Sequence, residues 1–484
     1  MTLSAVHSSA AAGPRGWLLP FWVGAGVYLF QFVAGNDLLQ DSDIFWQIEV
    51  GRWIVDHHAV PTTDIYSFTK LGAPWISSSW LAQLLYAAVF AQAGWAGVVG
   101  LSALAIAAAF ALFVRFLQRH VEPALAVLLA MAAFILSIHH LLARPHVLAL
   151  PVMVAWFGSL IAAADARRAP SLWLLPLLAL WANLHGGFVL GLLLLGGVAL
   201  ESVWSAEPAR RVALAARWML FAFGAVLACC CTPYGWETLL ASRRILDLGE
   251  VLAILSEWLP ADFSRFGAFE ASVLGLLGFA LYRGLTLSPP RILLVLGLLH
   301  MALSHVRSIE AFALLLPLVL AKPWSEQLGG APPALAAASS PRGIAAAALA
   351  ALALLAASVP LAPHLRFALV AAQVPAEAVA VLQQRGAKRV FNAYEFGGYL
   401  IAAGVPPFID GRAELYGEQF VVAHHRAVTL RDPDLLPRLL DDYNIDATLL
   451  APTTPAVKQL DRLPGWQRVY GDAVAVVHAR SAPR

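Results

Sequence analysis

Many windows of roughly 15–22 residues in this chain are almost purely apolar, the length needed to cross a bilayer as a helix. They recur from one end of the chain to near residue 361, separated by short polar stretches. Charged residues make up only 13% of the chain, against about 25% in a soluble domain, and the mean hydropathy is +0.71. The pattern predicts a polytopic membrane protein. The formal net charge of +2 gives no reason to expect a nucleic-acid partner. Cys229, Cys230 and Cys231 are consecutive in an apolar run, so they point in different directions on a helix and suit neither a disulfide framework nor a metal cluster of ordinary spacing.

The first apolar run, 17–34, follows Arg15 and is longer than a signal-peptide core of about 7–15 residues, so it is read as an uncleaved first span. Positive charge collects on the cytoplasmic side of a membrane, which fixes the threading. With the N-terminus inside, the other spans fall at 95–116, 122–139, 146–164, 171–184, 187–204, 217–232, 267–282, 291–304, 308–321 and 343–361. That gives an all-α transmembrane bundle of about 11 spans in residues 1–364, with a large first outer loop at 35–78. Residues 79–93 are too short to cross and read as an interfacial helix. Residues 237–265 lie on the outer surface, and the Pro-, Ala-, Gly- and Ser-rich segment 323–342 is a cytoplasmic linker.

Residues 365–484 are left outside as a small extracytoplasmic α/β domain. There KRVFN, PFIDG, DATLLAP and AVAVVHA read as strands, and AEAVAVLQQRG, EFGGYLIAAG and PDLLPRLLDDYN as helices. Asn392, Asp410 and Arg412 follow expected strands, where open α/β sheets bind ligands. The alternative is that these residues cap helices and close turns.

The threading puts the remaining polar residues near span ends on one face: Asp41 and Asp43, His139 and His140, Arg144 and His146, Asn183 and His185, Tyr234, Glu257, His305 and Arg307. Ionisable groups near membrane depth are costly and usually functional, so a convergent set points to one outer-face site. In Asp41-Ser-Asp43, just beyond the first span and followed by Trp46 and Trp53, a carboxylate desolvated by aromatics would have a raised pKa and suit a general base. Solvated loop aspartates or a helix N-cap explain the same residues. No third ligand has a fixed spacing to the pair, so a metal is not specified. In Ala143-Arg144-Pro145-His146 the proline opens a helix and leaves Arg144 at its N-terminus. The helix dipole does not favour a cation there, whereas an anion would be held by both. A topology-setting or snorkelling arginine is the alternative.

With these residues in view the chain resembles the GT-C class of glycosyltransferases, polytopic enzymes that use polyprenyl-phosphate-linked sugars on the outer membrane face. The acidic pair after the first span and the following SWLAQLLYAAVFAQAGWAG carry the likeness, together with WANLHGGF and FIDGRAELYG. The resemblance implies a multi-pass protein of the bacterial inner membrane. Its donor would be a polyprenyl-phosphate sugar and its acceptor a glycan, lipid or protein. Asp43 or Asp41 would be the base of an inverting transfer. Arg144, His146, His305 and Arg307 would hold the donor phosphate, and Trp46, Asn183, His185 and Glu257 would line the substrate site. The small α/β tail departs from the class pattern. Two other readings stay open: a lipid or glycan transporter, and a non-catalytic assembly or binding protein.

Overall fold

The structure is a computed structural model describing residues 14–246, 248–328, 341–371 and 374–481. Each run read as a span is helical. Among the described residues, four helices are long and apolar enough to cross a membrane: Trp80–Leu117, Pro123–His140, Pro145–Asp165 and Pro208–Cys229. Leu18–Val33, Leu172–Leu184, Phe188–Trp204, Pro289–Ser304 and Leu349–His364 are shorter apolar helices. The count of eleven crossings therefore rests on the sequence. Proline opens several of these helices, at Pro123, Pro145, Pro208 and Pro289, where its missing N–H costs no helical hydrogen bond.

The boundary between interfacial helix and span falls inside Trp80–Leu117. Gly94 has φ 56° and ψ −143° there, which interrupts the helical path between the two segments expected from sequence. Glycine alone adopts that conformation without strain. The distal part of this helix packs against Leu18–Val33 and Pro145–Asp165. Burial sorts the bundle into centre and rim: 78% of the apolar window of Pro145–Asp165 is buried, against 22% for Pro123–His140. On the rim, Trp22, Met131, Leu193, Met219, Phe223 and Leu281 are exposed, a surface suited to lipid rather than water. The linker expected at 323–342 starts later, because Ile309–Gln327 is helical through Pro323; residues 329–340 lie outside the described residues.

The tail is mixed, with a four-stranded sheet in the order β1-β2-β4-β3. β1 (Val390–Asn392) pairs in parallel with β2 (Ala447–Leu450), and β3 (Trp466–Gly471) forms an antiparallel hairpin with β4 (Val476–Arg480), which also pairs with β2. The parallel pair requires a crossover, and helices Gly397–Ala402, Glu418–Val428 and Leu435–Asp442 lie in that connection. PFIDG, read as a strand, is not one. Its backbone is claimed elsewhere: the Asn392 side-chain carbonyl accepts from Phe408 N–H at 2.8 Å, Thr69 Oγ1 donates to Phe408 O at 2.7 Å, and Phe68 N–H donates to Pro407 O at 3.4 Å. Only an isolated bridge, Val390 to Pro407, is left.

Those last contacts come from the first loop, which is not a free excursion. Trp46, Val50, Ile54 and Trp75 share one hydrophobic core with tail residues such as Phe391, Phe396, Phe408 and Ile409. Beside that core, Arg412 lies fully buried between two carboxylates, Asp410 at 2.7 Å and Asp64 of the loop at 2.7 Å. Tyr416 Oη donates to Asp410 at 2.7 Å. A buried ion is tolerated only when its charge and hydrogen bonds are met, and this set meets them across loop and tail together.

Candidate functional site

The acidic pair opens helix Asp43–His57. The Asp43 N–H donates to Asp41 Oδ1 at 2.8 Å, a local turn that brings both carboxylates to the start of the helix. Arg144 precedes Pro145–Asp165 in extended conformation, and its carbonyl accepts from Tyr86 Oη at 3.1 Å. Its guanidinium fans across three acids. Nε meets Asp41, Nη2 lies 3.6 Å from Asp43 Oδ2, and Nη1 donates to Glu257 Oε2 at 2.7 Å. Glu257 extends the chain of charges, with Oε1 3.3 Å from Arg307 Nη1. The Arg307 guanidinium also stands 4.5 Å from the Trp258 ring centroid, a cation–π contact. Backbone bonds from Val306 N–H to Leu259 O (2.9 Å) and from Ala261 N–H to Leu303 O (3.0 Å) clip the two segments together.

Four chain segments thus supply one network. Its side chains stay partly open, from 12% exposed at Asp41 to 34% at Glu257, so it reaches solvent. The acidic partners of Arg144 lie about a hundred residues away on either side, not within a helical turn of it. Arg307 pairs with Glu257, not with its near neighbour Glu310.

The electrostatics separate the acids. Burial, then the charge of Asp41, push the Asp43 carboxyl up to about 7, with Arg144 pulling the other way. Burial also pushes Glu257 up, but the guanidiniums of Arg144 and Arg307 outweigh it and hold Glu257 below the usual carboxylate range. Glu257 therefore stays an anion, and Asp43 is the acid that exchanges a proton near neutrality.

Beside this network, His146 Nε2 lies 2.8 Å from His140 O and 3.9 Å from Glu310 Oε2, and its ring centroid is 6.2 Å from that of His185. His185 Nδ1 accepts from Gly187 N–H at 3.1 Å. His305 reaches the site through backbone, with Nδ1 2.9 Å from Trp258 O. His139 lies in the short turn it shares with His140. Asn183 is fully engaged: it accepts from Trp80 Nε1 at 2.7 Å and donates to Ala179 O and Cys231 O. Tyr234 Oη donates to Pro61 O and accepts from Ser77 N–H. Both hold the architecture around the site. Trp46 is buried in the shared loop and tail core.

The expected tail site is not one. Asn392, Asp410 and Arg412 are wholly buried. Asn392 bridges Ala393 O, Ile409 O and Phe408 N–H, and the Asp410 and Arg412 pair is closed by Asp64. Asp64 and Arg412 are 348 residues apart, so no local signal identifies their pairing. The tail instead approaches the acidic pair. A Cβ placed on Gly411 would run into the Asp43 carboxylate, and one on Gly398 would come within 2.6 Å of Ser42 O. Ser42 Oγ donates to Glu395 O at 2.6 Å. Tyr394 belongs to the same surface: burial, then the Asp43 charge, raise its phenol well above the ordinary value.

No family model matches the chain, and no curated protein matches it. Among solved structures, the crystal structure of ArnT from Cupriavidus metallidurans in the apo state is similar with a TM-score of 0.49 and 15% identity, covering 97% of this chain and 99% of that one.

Proposed function

We propose that the protein is a membrane glycosyltransferase of the GT-C kind. It would move a sugar from a polyprenyl-phosphate donor to a hydroxyl acceptor at the extracytoplasmic face of the bacterial inner membrane, with residues 365–484 on that side. One observation carries the reading: a carboxyl poised near neutrality, Asp43, stands beside a partly exposed guanidinium network built by Arg144, Glu257 and Arg307. A general base works best with a pKa near the operating pH, and guanidiniums match the oxygens of a departing phosphate.

In this scheme Asp43 accepts the proton of the acceptor hydroxyl. The acceptor oxygen bonds to the anomeric carbon from the face opposite the donor, and the bond from that carbon to the phosphate oxygen breaks with inversion. The phosphate leaves with the electron pair, and Arg307 and Arg144 meet its charge. Arg144 is already neutralised by three acids, so its larger role is to hold Asp41 and Asp43 in place. Arg307, with one acid and one aromatic face, is the freer grip on phosphate. His146 and His305 lie on the same side and complete the phosphate end.

The test is titration of the purified full-length protein with a short-chain polyprenyl phosphate, with thermal stability followed in parallel. Lysine cannot copy the planar two-pronged donor set of arginine, so Arg307→Lys is expected to weaken binding about ten-fold or more, the loss of a charge-assisted hydrogen bond. Asp43→Asn is expected to bind the lipid phosphate but transfer sugar about 10²–10⁴-fold more slowly. Equal binding by wild type and Arg307→Lys, with both folded, would favour a non-catalytic assembly protein.

A further inference from the structure

The end of the bundle opposite the acidic network carries a second concentration of positive charge. Helix Pro145–Asp165 has Arg144 of the network at its start, and its 21 residues span about 31 Å at 1.5 Å per residue, close to the thickness of a bilayer core. Around its far end lies a cleft of about 430 Å³ lined by Arg119, Ser159, Arg168, Ser171, Trp173 and Leu174, among others, and no acidic residue lines it.

The carboxylates at this end are engaged elsewhere. Asp165 Oδ1 lies 2.9 Å from Arg291 Nη2 and 3.7 Å from Lys322 Nζ, its Oδ2 lies 3.7 Å from His120, and Glu201 pairs with Arg291. Among the described residues, neither Arg119 nor Arg168 forms an ion pair. Arg119 instead rests on the Phe116 ring, 4.8 Å from its centroid. Arg115 and Arg168 both add to the positive charge around Arg119, and Asp165, which does not line this cleft, offsets only part of it; two like charges facing one cleft raise each other's free energy, which an anion would relieve. Ser171 Oγ accepts from Trp173 N–H at 3.3 Å, so its own O–H stays available to donate. Trp173 is 89% exposed, and tryptophan at such a position favours the membrane interface.

We infer that this cleft seats the phosphate of an anionic membrane-lipid headgroup. Arg119 and Arg168 pair with the phosphate oxygens, Ser171 donates to one of them, and Trp173 and Leu174 lie along the glycerol and first acyl carbons. The site lies a bilayer away from the acidic network and does not depend on the transferase reading.

The test titrates the full-length protein in neutral detergent with dihexanoyl phosphatidylglycerol, dihexanoyl phosphatidylcholine and inorganic phosphate separately. The glycerol lipid is expected to bind more tightly than the choline lipid, whose own cation competes with the arginines, and more tightly than inorganic phosphate, which lacks the apolar contact. Arg168→Gln and Arg119→Gln are each expected to weaken binding of the glycerol lipid several-fold, and the double variant about ten- to a hundred-fold. Arg168 is exposed, so its variant keeps the test standing even where Arg119→Gln disturbs folding. Arg385→Gln, at an exposed position in the tail, is expected to leave this binding unchanged. Equal binding of the glycerol lipid by wild type and Arg168→Gln would overturn the inference, and so would inorganic phosphate binding as tightly as the lipid.

Discussion

Asp43 is held in a state that favours reactivity over stability. Its carboxyl titrates at about 7 in the fold and at about 3.9 in an unfolded chain. A raised pKa means that the folded state binds the proton more tightly. The stability linked to that proton is fully present below the unfolded value and is lost as pH rises through the folded one. Asp43→Asn, which keeps the shape and carries no charge, is therefore expected to melt above wild type at pH 8, with the difference shrinking as pH falls toward 4. The same variant is expected to lose transfer by about 10²–10⁴-fold. Wild-type transfer should rise with pH through about 7 as the base ionises. Thermal melts at several pH values, read beside a transfer assay, check both halves; a variant that melts lower at pH 8 would show the carboxylate to be a stabilising partner of Arg144 instead. The sequence made Asp41, Asp43 and Arg144 legible because their chemistry is local: a turn, a helix start, a proline. It did not reveal that Arg144 joins Asp41 and Asp43 to Glu257, a pairing across 113 residues that only packing creates.

At the scale of elements, apolar runs announced the helices because the hydrophobic pattern that selects a span is local. Gly94 fell where interfacial helix and span had been divided for the same reason. The tail was harder. Helix Glu418–Val428 is not among the helices expected from sequence; its His424 is buried and places Nε2 2.9 Å from Asn392 O, a partner that only packing supplies. β3 is not among the strands expected from sequence; it is an edge strand with no fully buried residue and no apolar run. PFIDG has the apolar residues of a strand, but its backbone bonds to the Asn392 side chain and the first loop, while the Phe408 ring packs among Phe68, Phe391, Phe420 and Tyr443. The turn after it makes the sharpest element-scale prediction. Gly411 is not at positive φ, so alanine is tolerated by the backbone there, but its Cβ meets the Asp43 carboxylate. Gly411→Ala is expected to push Asp43 away from Arg144 and cut transfer by about ten-fold or more, since misplacement of about an ångström is that costly. The buried Arg412 pairings should keep the tail folded. Activity and the melting curve, measured on the same preparation, separate a displaced carboxylate from an unfolded tail; unchanged activity would mean the carboxylate shifts without functional consequence.

For the whole molecule, sidedness reduces to one question. The first loop and the tail share a core and the buried Asp64 to Arg412 pair, and the loop carries Asp41 and Asp43, so tail and acidic network lie on the same side of any membrane the bundle crosses. Arg119, Arg167 and Arg168 lie about 31 Å away, beyond the far end of Pro145–Asp165, where the positive-inside rule puts the cytoplasm. Ser481 is exposed at the end of the described tail, next to β4 and tied by its N–H to Gly465 O at 2.8 Å, so a cysteine there reports on a folded tail. Cys231 is also exposed and would react itself, so the experiment needs Cys229, Cys230 and Cys231 replaced by serine first. In that background, Ser481→Cys is expected to react with a membrane-impermeant maleimide in intact spheroplasts as fully as after lysis. Labelling only after lysis would put the tail in the cytoplasm. The acidic network would go with it, and an outer-face sugar transfer would then be excluded by geometry, whatever the protonation of Asp43.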